Sequence, residues 1–325
     1  MSVQRFLVTD EIPEPGVTML REVGEVDVRH GMDATELRHA VTSGEYDVVI
    51  SQTSDRFDAD LLARARIRGI ANYAVGYNNI DVAAAAEHGI AVGNTPEVLN
   101  DATANLAMLL LLGAGRRAHE ATEFLRGGEF TGLRPKLMVG QDVSGATLGI
   151  AGLGRIGKAV ARRALAFGMT VVFTQRPPRD REVSDEELGD LGGKVTQVPW
   201  DELVETSDYI SLHVPLTEDT RHLVDADTLR RMKSTAVLVN TARGPVVDEK
   251  ALVQALKDGE IFAAGLDVFE NEPEVEPGLL ELPNAFLLPH IGSAEEGTRS
   301  RMARMTAENA VAMARGEEPP HPVHP

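Results

Sequence analysis

Leu148-Gly149-Ile150-Ala151 runs directly into Gly152-Leu153-Gly154-Arg155-Ile156-Gly157, and a helical pattern begins at once behind it. An apolar strand, a G-x-G-x-x-G turn and a helix leave few folds open. The glycines permit a tight turn, let the backbone approach a pyrophosphate and let helix and strand pack closely. The helix N-terminus supplies unpaired N–H groups and the positive end of a dipole. A G-x-G-x-x-G string alone is weak, because a glycine-rich turn occurs in many α/β proteins. Here a further apolar run, Thr170–Thr174, follows at the distance a crossover to a parallel strand requires. The reading is therefore a dinucleotide-binding α/β unit.

The same alternation extends along the whole chain. Before the glycine loop, apolar runs at Phe6–Thr9, Val26–Val28, Val48–Ser51, Ile70–Tyr73 and Ile90–Val92 alternate with helical patterns near Gly16–Val23, Ala34–Ser43, Asp60–Arg66 and Asp81–His88. A long helix is expected from Asn100 or Asp101 to about Arg126, then a looser segment, Gly127–Ser144. After the loop, strands are expected at Thr170–Thr174, Tyr209–His213, Ala236–Asn240, Ala263–Asp267 and Ala285–Leu288. The helices between them are placed near Lys158–Phe167, Trp200–Thr206, Thr228–Met232 and Glu249–Asp258. A last helix is expected over Thr298–Arg315, with an extended tail behind it. Continuous rather than alternating apolar strands mean parallel sheets covered on both faces, so the fold class is α/β, doubly wound.

Composition narrows the function. The formal charge is 32 − 50 = −18, which argues against nucleic acid, since phosphate binding needs a basic face. There is no cysteine, so disulfides, thiolate metal sites and a cysteine nucleophile are excluded. The remaining histidines form no convincing metal pair, and no metal is expected. The N-terminus lacks the pattern of a signal peptide, and the apolar stretch Ala102–Ala114 is too short to span a bilayer. A cytoplasmic enzyme is the expectation.

Three residues, each in its own motif, carry the chemistry: Arg243 in NTARGPVVDE, Glu272 in GLDVFENEP and His290 in LLPHIGSA. Each follows an apolar run, so all three fall at strand ends. A guanidinium is a planar, permanently charged fork suited to a carboxylate and an adjacent carbonyl. A histidine can donate a proton to that carbonyl oxygen as hydride reaches the carbon. A glutamate beside it favours the imidazolium and raises its pKa. In isolation each has a plainer reading: a surface turn, a turn cap, a loop histidine. His213, near another strand end, is read as structural.

With these motifs stand Asn72–Asp81 (NYAVGYNNID), Asn94-Thr95-Pro96, Asp101-Ala102-Thr103-Ala104 and His213-Val214-Pro215-Leu216. Together they resemble the D-isomer-specific 2-hydroxyacid dehydrogenases over nearly the whole chain, and among these the glyoxylate and hydroxypyruvate reductases. The resemblance implies two Rossmann-like domains with the active site in the cleft between them. The substrate domain would be discontinuous, 1–100 plus 292–325, and the dinucleotide-binding domain 101–291. It assigns the acid–base and carboxylate-binding roles to Arg243, Glu272 and His290, and further substrate donors to the N–H groups of Val75 and Gly76. Cofactor contacts are implied at Thr103, Gly152, Leu153, Gly154, Arg155, Ile156, Gly157, Val214, Pro215, Thr241, Ala242, Asp267 and Gly292. The long helix and the segment behind it resemble the family's dimer contact, so a homodimer is expected.

Where an NAD enzyme of this fold carries an acid, at the end of the second strand, this chain has Gln175, followed by Arg176, Arg179 and Arg181. A neutral residue does not repel a 2′-phosphate, and an arginine adds a charge-assisted bond of about 1.5–3 kcal/mol. NADP(H) is expected over NAD(H), with NAD(H) still usable. Glu272 separates the chain from the formate dehydrogenases, which use glutamine there. Val75 separates it from the phosphite dehydrogenases, which use lysine. The expected reaction is reduction of glyoxylate or hydroxypyruvate to glycolate or D-glycerate. The alternatives are a bulkier 2-oxo acid, 3-phosphoglycerate, or a dinucleotide-binding scaffold of the co-repressor kind.

Overall fold

The computed structural model describes residues 3–175, 177 and 181–325. The described chain forms two compact units: residues up to Leu99 together with Ser293–Pro325, and Asn100–Gly292.

In the first unit β1 (Gln4–Val8), α1 (Glu14–Arg21), β2 (Gly24–Val28), α2 (Ala34–Ser43), β3 (Val48–Ser51), α3 (Ala59–Leu62), β4 (Gly69–Asn72), α4 (Val82–Glu87) and β5 (Ala91–Gly93) follow in order. Their five strands form a parallel sheet in the order β2-β1-β3-β4-β5. Local chemistry sets the helix ends. Asp33 and Glu36 make a reciprocal capping box on α2, and Gly44 ends it in the left-handed region. Asp81 caps α4 by accepting from the Ala84 N–H.

The second unit begins with α5 (Asn100–Gly115) and α6 (Ala118–Arg126). It continues as β6 (Thr147–Ala151), α7 (Arg155–Ala166), β7 (Thr170–Thr174), α8 (Asp185–Leu188), β8 (Thr196–Gln197), α9 (Trp200–Thr206), β9 (Tyr209–Leu212), α10 (Ala226–Arg231), β10 (Val237–Asn240), α11 (Glu249–Asp258), β11 (Ala263–Leu266), α12 (Pro277–Leu280) and β12 (Ala285–Leu287). Its seven strands are parallel in the order β12-β11-β10-β9-β6-β7-β8. The order reverses between β9 and β6. A crevice at the carboxyl ends of strands therefore opens beside the glycine loop.

The long helix expected to reach Arg126 is two helices. The Gly115 carbonyl, which would continue the ladder, accepts instead from the Gln141 N–H at 2.8 Å. Gly140 packs so closely that a Cβ there would stand 2.3 Å from the Gly115 oxygen. Arg117 then takes a left-handed conformation, φ +55°, and opens α6. The short β8, α8 and α12 were also absent from the sequence reading, because two to four residues carry no period to detect.

α13 (Glu296–Arg315) belongs to the first unit because its inner face is small. Ala303, Ala307, Ala310 and Ala314 are fully buried there. A Cβ on Gly16 of α1 would come within 2.6 Å of the Ala303 oxygen. Buried Asn309 donates to the Asn94 carbonyl and accepts from the His321 N–H. The tail behind it lies along β5, where Val323 N–H donates to the Val92 oxygen. This covers a sheet edge that would otherwise be open to pairing.

Candidate active site

Apart from Asp101–Ala104, which opens α5, the motifs that the sequence singled out in the second unit fall behind the carboxyl ends of strands. Behind β6, Gly152 is left-handed at φ +91°, and a Cβ on it would meet the His213 oxygen at 2.8 Å. A Cβ on Gly157 would stand 2.4 Å from the Gly152 oxygen, whereas one on Gly154 would meet nothing within 4 Å. The first and third glycines are thus required for packing, and the second leaves open space at the N-terminus of α7. That is the cradle a pyrophosphate needs.

Behind β7, the Gln175 Oε1 accepts from the Leu153 N–H at 2.9 Å. The side chain at the expected specificity position therefore also braces the glycine loop. Arg181 is paired with Glu187 at 2.8 Å. Arg176 and Arg179 lie outside the described residues. Behind β9, Thr220 donates to the Pro215 oxygen at 2.6 Å and fixes the turn after Val214. Behind β10, the Thr241 hydroxyl is buried with no hydrogen-bond partner among the described residues. Behind β11 and β12, Asp267, Thr103 and Gly292 converge: a Cβ on Gly292 would stand 3.2 Å from Asp267 Oδ2 and 3.5 Å from Thr103 Oγ1. These groups fit a dinucleotide.

His213 is held to Ser211 through Nε2 at 2.8 Å, and burial pushes its pKa down to about 4. It stays neutral at working pH and is no proton donor.

The trio is built from three loops. Buried Asn240 donates to the Arg243 carbonyl and accepts from the Ala242 N–H, a local turn that fixes the arginine backbone. Arg243 Nη1 donates to the Ala242 oxygen at 2.7 Å. Burial lowers the Arg243 pKa, and the Glu272 charge opposes this. Glu272 accepts from the Phe269 N–H through Oε1 at 2.9 Å, and its Oε2 lies 2.7 Å from His290 Nδ1. Burial works to raise the Glu272 pKa. The His290 contact, the Phe269 N–H and Arg243 outweigh it, so the carboxyl is held below its ordinary value. With Glu272 ionised, Nδ1 must be the donor, and Nε2 is left to exchange a proton.

His290 itself is left-handed, φ +52°, an uncommon conformation for a residue with a side chain. It is held there because its N–H donates to the Leu288 oxygen and the next N–H, of Ile291, donates to Asp267 Oδ1 at 2.8 Å. Asp267 is 1% exposed, and burial pushes its pKa up to about 6. A folded-state pKa above the unfolded value of 3.8 means stability present at low pH and lost as pH rises through about 6. Relative to Asp267→Asn, the parent is expected to lose up to about 3 kcal/mol between pH 4 and pH 7. Urea denaturation of both proteins across that range checks this, and parallel stability curves would refute it.

In the first unit, the 72–79 turn is built by three asparagines. Asn72 Nδ2 donates to the Gly76 oxygen, Asn94 Nδ2 to the Val75 oxygen, and Asn79 Nδ2 to the Gln52 and Asp55 oxygens. The carbonyls are thereby occupied, and no acceptor among the described residues takes the Val75 or Gly76 N–H.

Two residues of the site escaped the sequence reading. A Cβ on Gly244 would stand 1.9 Å from the Phe269 carbonyl. Glu249, the first residue of α11, is 4% exposed.

Comparison with known proteins identifies the chain. Residues 108–292 match the model of the D-isomer specific 2-hydroxyacid dehydrogenase NAD binding domain. The chain belongs to the D-isomer-specific 2-hydroxyacid dehydrogenase family. It is 48% identical to a glyoxylate reductase of Korarchaeum cryptofilum, over 98% of this chain and 96% of that one. The crystal structure of a glyoxylate reductase from Paecilomyes thermophila superposes with a TM-score of 0.86 at 37% identity, covering 99% of each chain. An NADPH-dependent glyoxylate/hydroxypyruvate reductase from Sinorhizobium meliloti, solved with NADP and malonate, superposes with a TM-score of 0.83 at 35% identity, over 99% of this chain and 97% of that one. The family's two parallel-sheet α/β domains are those described above. Among the described residues, no helix is long and apolar enough to cross a membrane.

Proposed function

We propose that the chain reduces a small 2-oxo acid, glyoxylate or hydroxypyruvate, to the 2-hydroxy acid, with NADPH preferred over NADH. The observation that carries this is the His290–Glu272 contact at 2.7 Å with Arg243 within electrostatic reach of the carboxylate. The names of the relatives support the substrate class. Arg243 holds the substrate carboxylate and polarises the carbonyl, and the N–H groups of Val75 and Gly76 are the further carboxylate donors. The nicotinamide, when bound, supplies the hydride that the carbonyl carbon receives. His290 gives its Nε2 proton to the carbonyl oxygen, so that C=O becomes CH–OH, and Glu272 stabilises the ring while it is charged. Gly152–Gly157, Val214-Pro215 and Thr241-Ala242 hold the dinucleotide, and Thr103, Asp267 and Gly292 its nicotinamide end.

The preference for NADPH rests on Gln175, which places no negative charge against a 2′-phosphate, and on Arg176. A matched assay of NADPH and NADH oxidation with each substrate tests both parts. The expected result is higher kcat/KM with NADPH, falling by about a hundredfold or more in Arg243→Ala. Equal or better efficiency with NADH overturns the cofactor preference alone. No turnover with either substrate overturns the substrate class.

A homodimer is part of the same reading. α6 buries none of its residues, and Leu125, Phe130, Leu133 and Val139 of α6 and the following segment are exposed, Leu133 at 94%. Exposed apolar side chains in this stretch suit a subunit contact. Light scattering is expected to give twice the chain mass, and a monomeric mass refutes it.

A further inference from the structure

The 269–276 segment carries Glu272 but is neither strand nor helix, so its place in the fold depends on contacts with other elements. Internally it has the Glu274 N–H bonded to the Asn271 oxygen and the Phe269 N–H bonded to Glu272 Oε1. Three groups from other parts of the second unit grip it. Gly244 lies flat against the Phe269 carbonyl. The Glu249 carboxylate accepts from the Glu270 N–H at 2.7 Å, and the Glu276 N–H also works to lower its pKa against burial. His222 Nε2 lies 2.7 Å from Glu270 Oε1, while the His222 backbone, left-handed at φ +51°, donates its N–H to the Pro245 oxygen.

Glu249 is the informative member. It is the first residue of α11, where acids ordinarily sit in water and favour the helix dipole. Here it is buried, and the cap is already supplied by Asp248, which accepts from the Ala251 N–H. Burying a carboxylate is costly unless its bonds are needed. Its backbone partner, Glu270, stands two residues before Glu272, and the Glu276 N–H that favours its charge stands four residues after.

We propose that Glu249, assisted by His222, is a positioning residue for the proposed acid–base pair: it clamps the 269–276 segment so that Glu272 meets His290 Nδ1. This rests on the reading of that pair given above. Neither residue touches substrate, and both act through Glu272. Arg243 and Asp267 are the other charged groups facing the pair.

The test is the pH titration of the His290 ring by NMR of the full-length protein with carbon-labelled histidine, the signal being identified by its loss in His290→Asn. This readout needs no turnover. Glu272→Gln is expected to lower the His290 midpoint most. Glu249→Ala is expected to move it the same way by less, with Glu249→Gln, which keeps one acceptor, smaller still. His222→Ala is expected to move it, and His222→Gln to restore part of the shift by keeping a donor to Glu270. With glyoxylate, Glu249→Ala should lose about tenfold to a hundredfold in kcat/KM while the Kd for NADPH is unchanged. If Glu249→Ala does not fold, Glu249→Gln and His222→Gln carry the same measurement. An unmoved titration in Glu272→Gln overturns the pairing on which both readings stand. A shift in Glu272→Gln with none in the Glu249 variants, whose thermal stability alone falls, overturns only the present inference.

Discussion

His290→Asn is expected to lower kcat/KM for glyoxylate by about 10²–10⁴-fold while leaving cofactor affinity close to that of the parent. Asparagine is the informative replacement because residue 290 is left-handed, φ +52°. Asparagine tolerates that region better than most residues. The backbone, and with it the Ile291 N–H bond to Asp267, is therefore preserved, and only proton exchange is lost. Removal of the ring also leaves the Glu272 carboxylate without its nearest partner, 2.7 Å away in the parent. Glu272 should then titrate at higher pH than before, because only the Phe269 N–H and Arg243 are left to oppose burial. Steady-state kinetics beside a fluorescence titration with NADPH separates the two effects. Activity within a few-fold of the parent would remove His290 from the mechanism.

Gly244→Ala is expected to be the most damaging single methyl in the second unit. Its Cβ would stand 1.9 Å from the Phe269 carbonyl carbon and oxygen and 2.4 Å from the Glu270 nitrogen. All three are backbone atoms, so no side-chain rotation relieves the contact. The two loops must separate, and we expect a loss of about 3 kcal/mol or more. Arg243 sits on one side of this contact and the segment carrying Glu272 on the other. The folded fraction should therefore also lose kcat/KM. Urea unfolding with parallel kinetics measures both. A variant within 1 kcal/mol of the parent and fully active would show that the close approach is dispensable.

Much of the fold was legible because its signals are local. α2, α9, α11, β3 and β7 begin and end where the sequence reading put them. Asp33 and Asp248 cap, and Gly44 and Gly259 stop, their helices through bonds that span only a few residues. Continuous apolar strands announced parallel sheets covered on both faces. The break at Arg117 was not legible, since the residues before it read as unbroken helix. It is caused by the Gln141 N–H and the close approach of Gly140, neither of which a window over the helix contains.

The candidate site divides along the same line. The sequence alone determined the strand–glycine loop–helix unit and singled out Arg243, Glu272 and His290 as candidates behind apolar runs, because each depends on a short motif. Only the tertiary structure decided that Glu272 reaches Nδ1 rather than Nε2 of a histidine 18 residues away. It also decided that Gly244 bears on Phe269, and that a helix acid, Glu249, turns inward to accept from the Glu270 N–H. Those contacts depend on which strands become neighbours, β10 beside β11 and β11 beside β12. Strand order is set by the packing of whole sheets, not by the residues that the loops themselves contain.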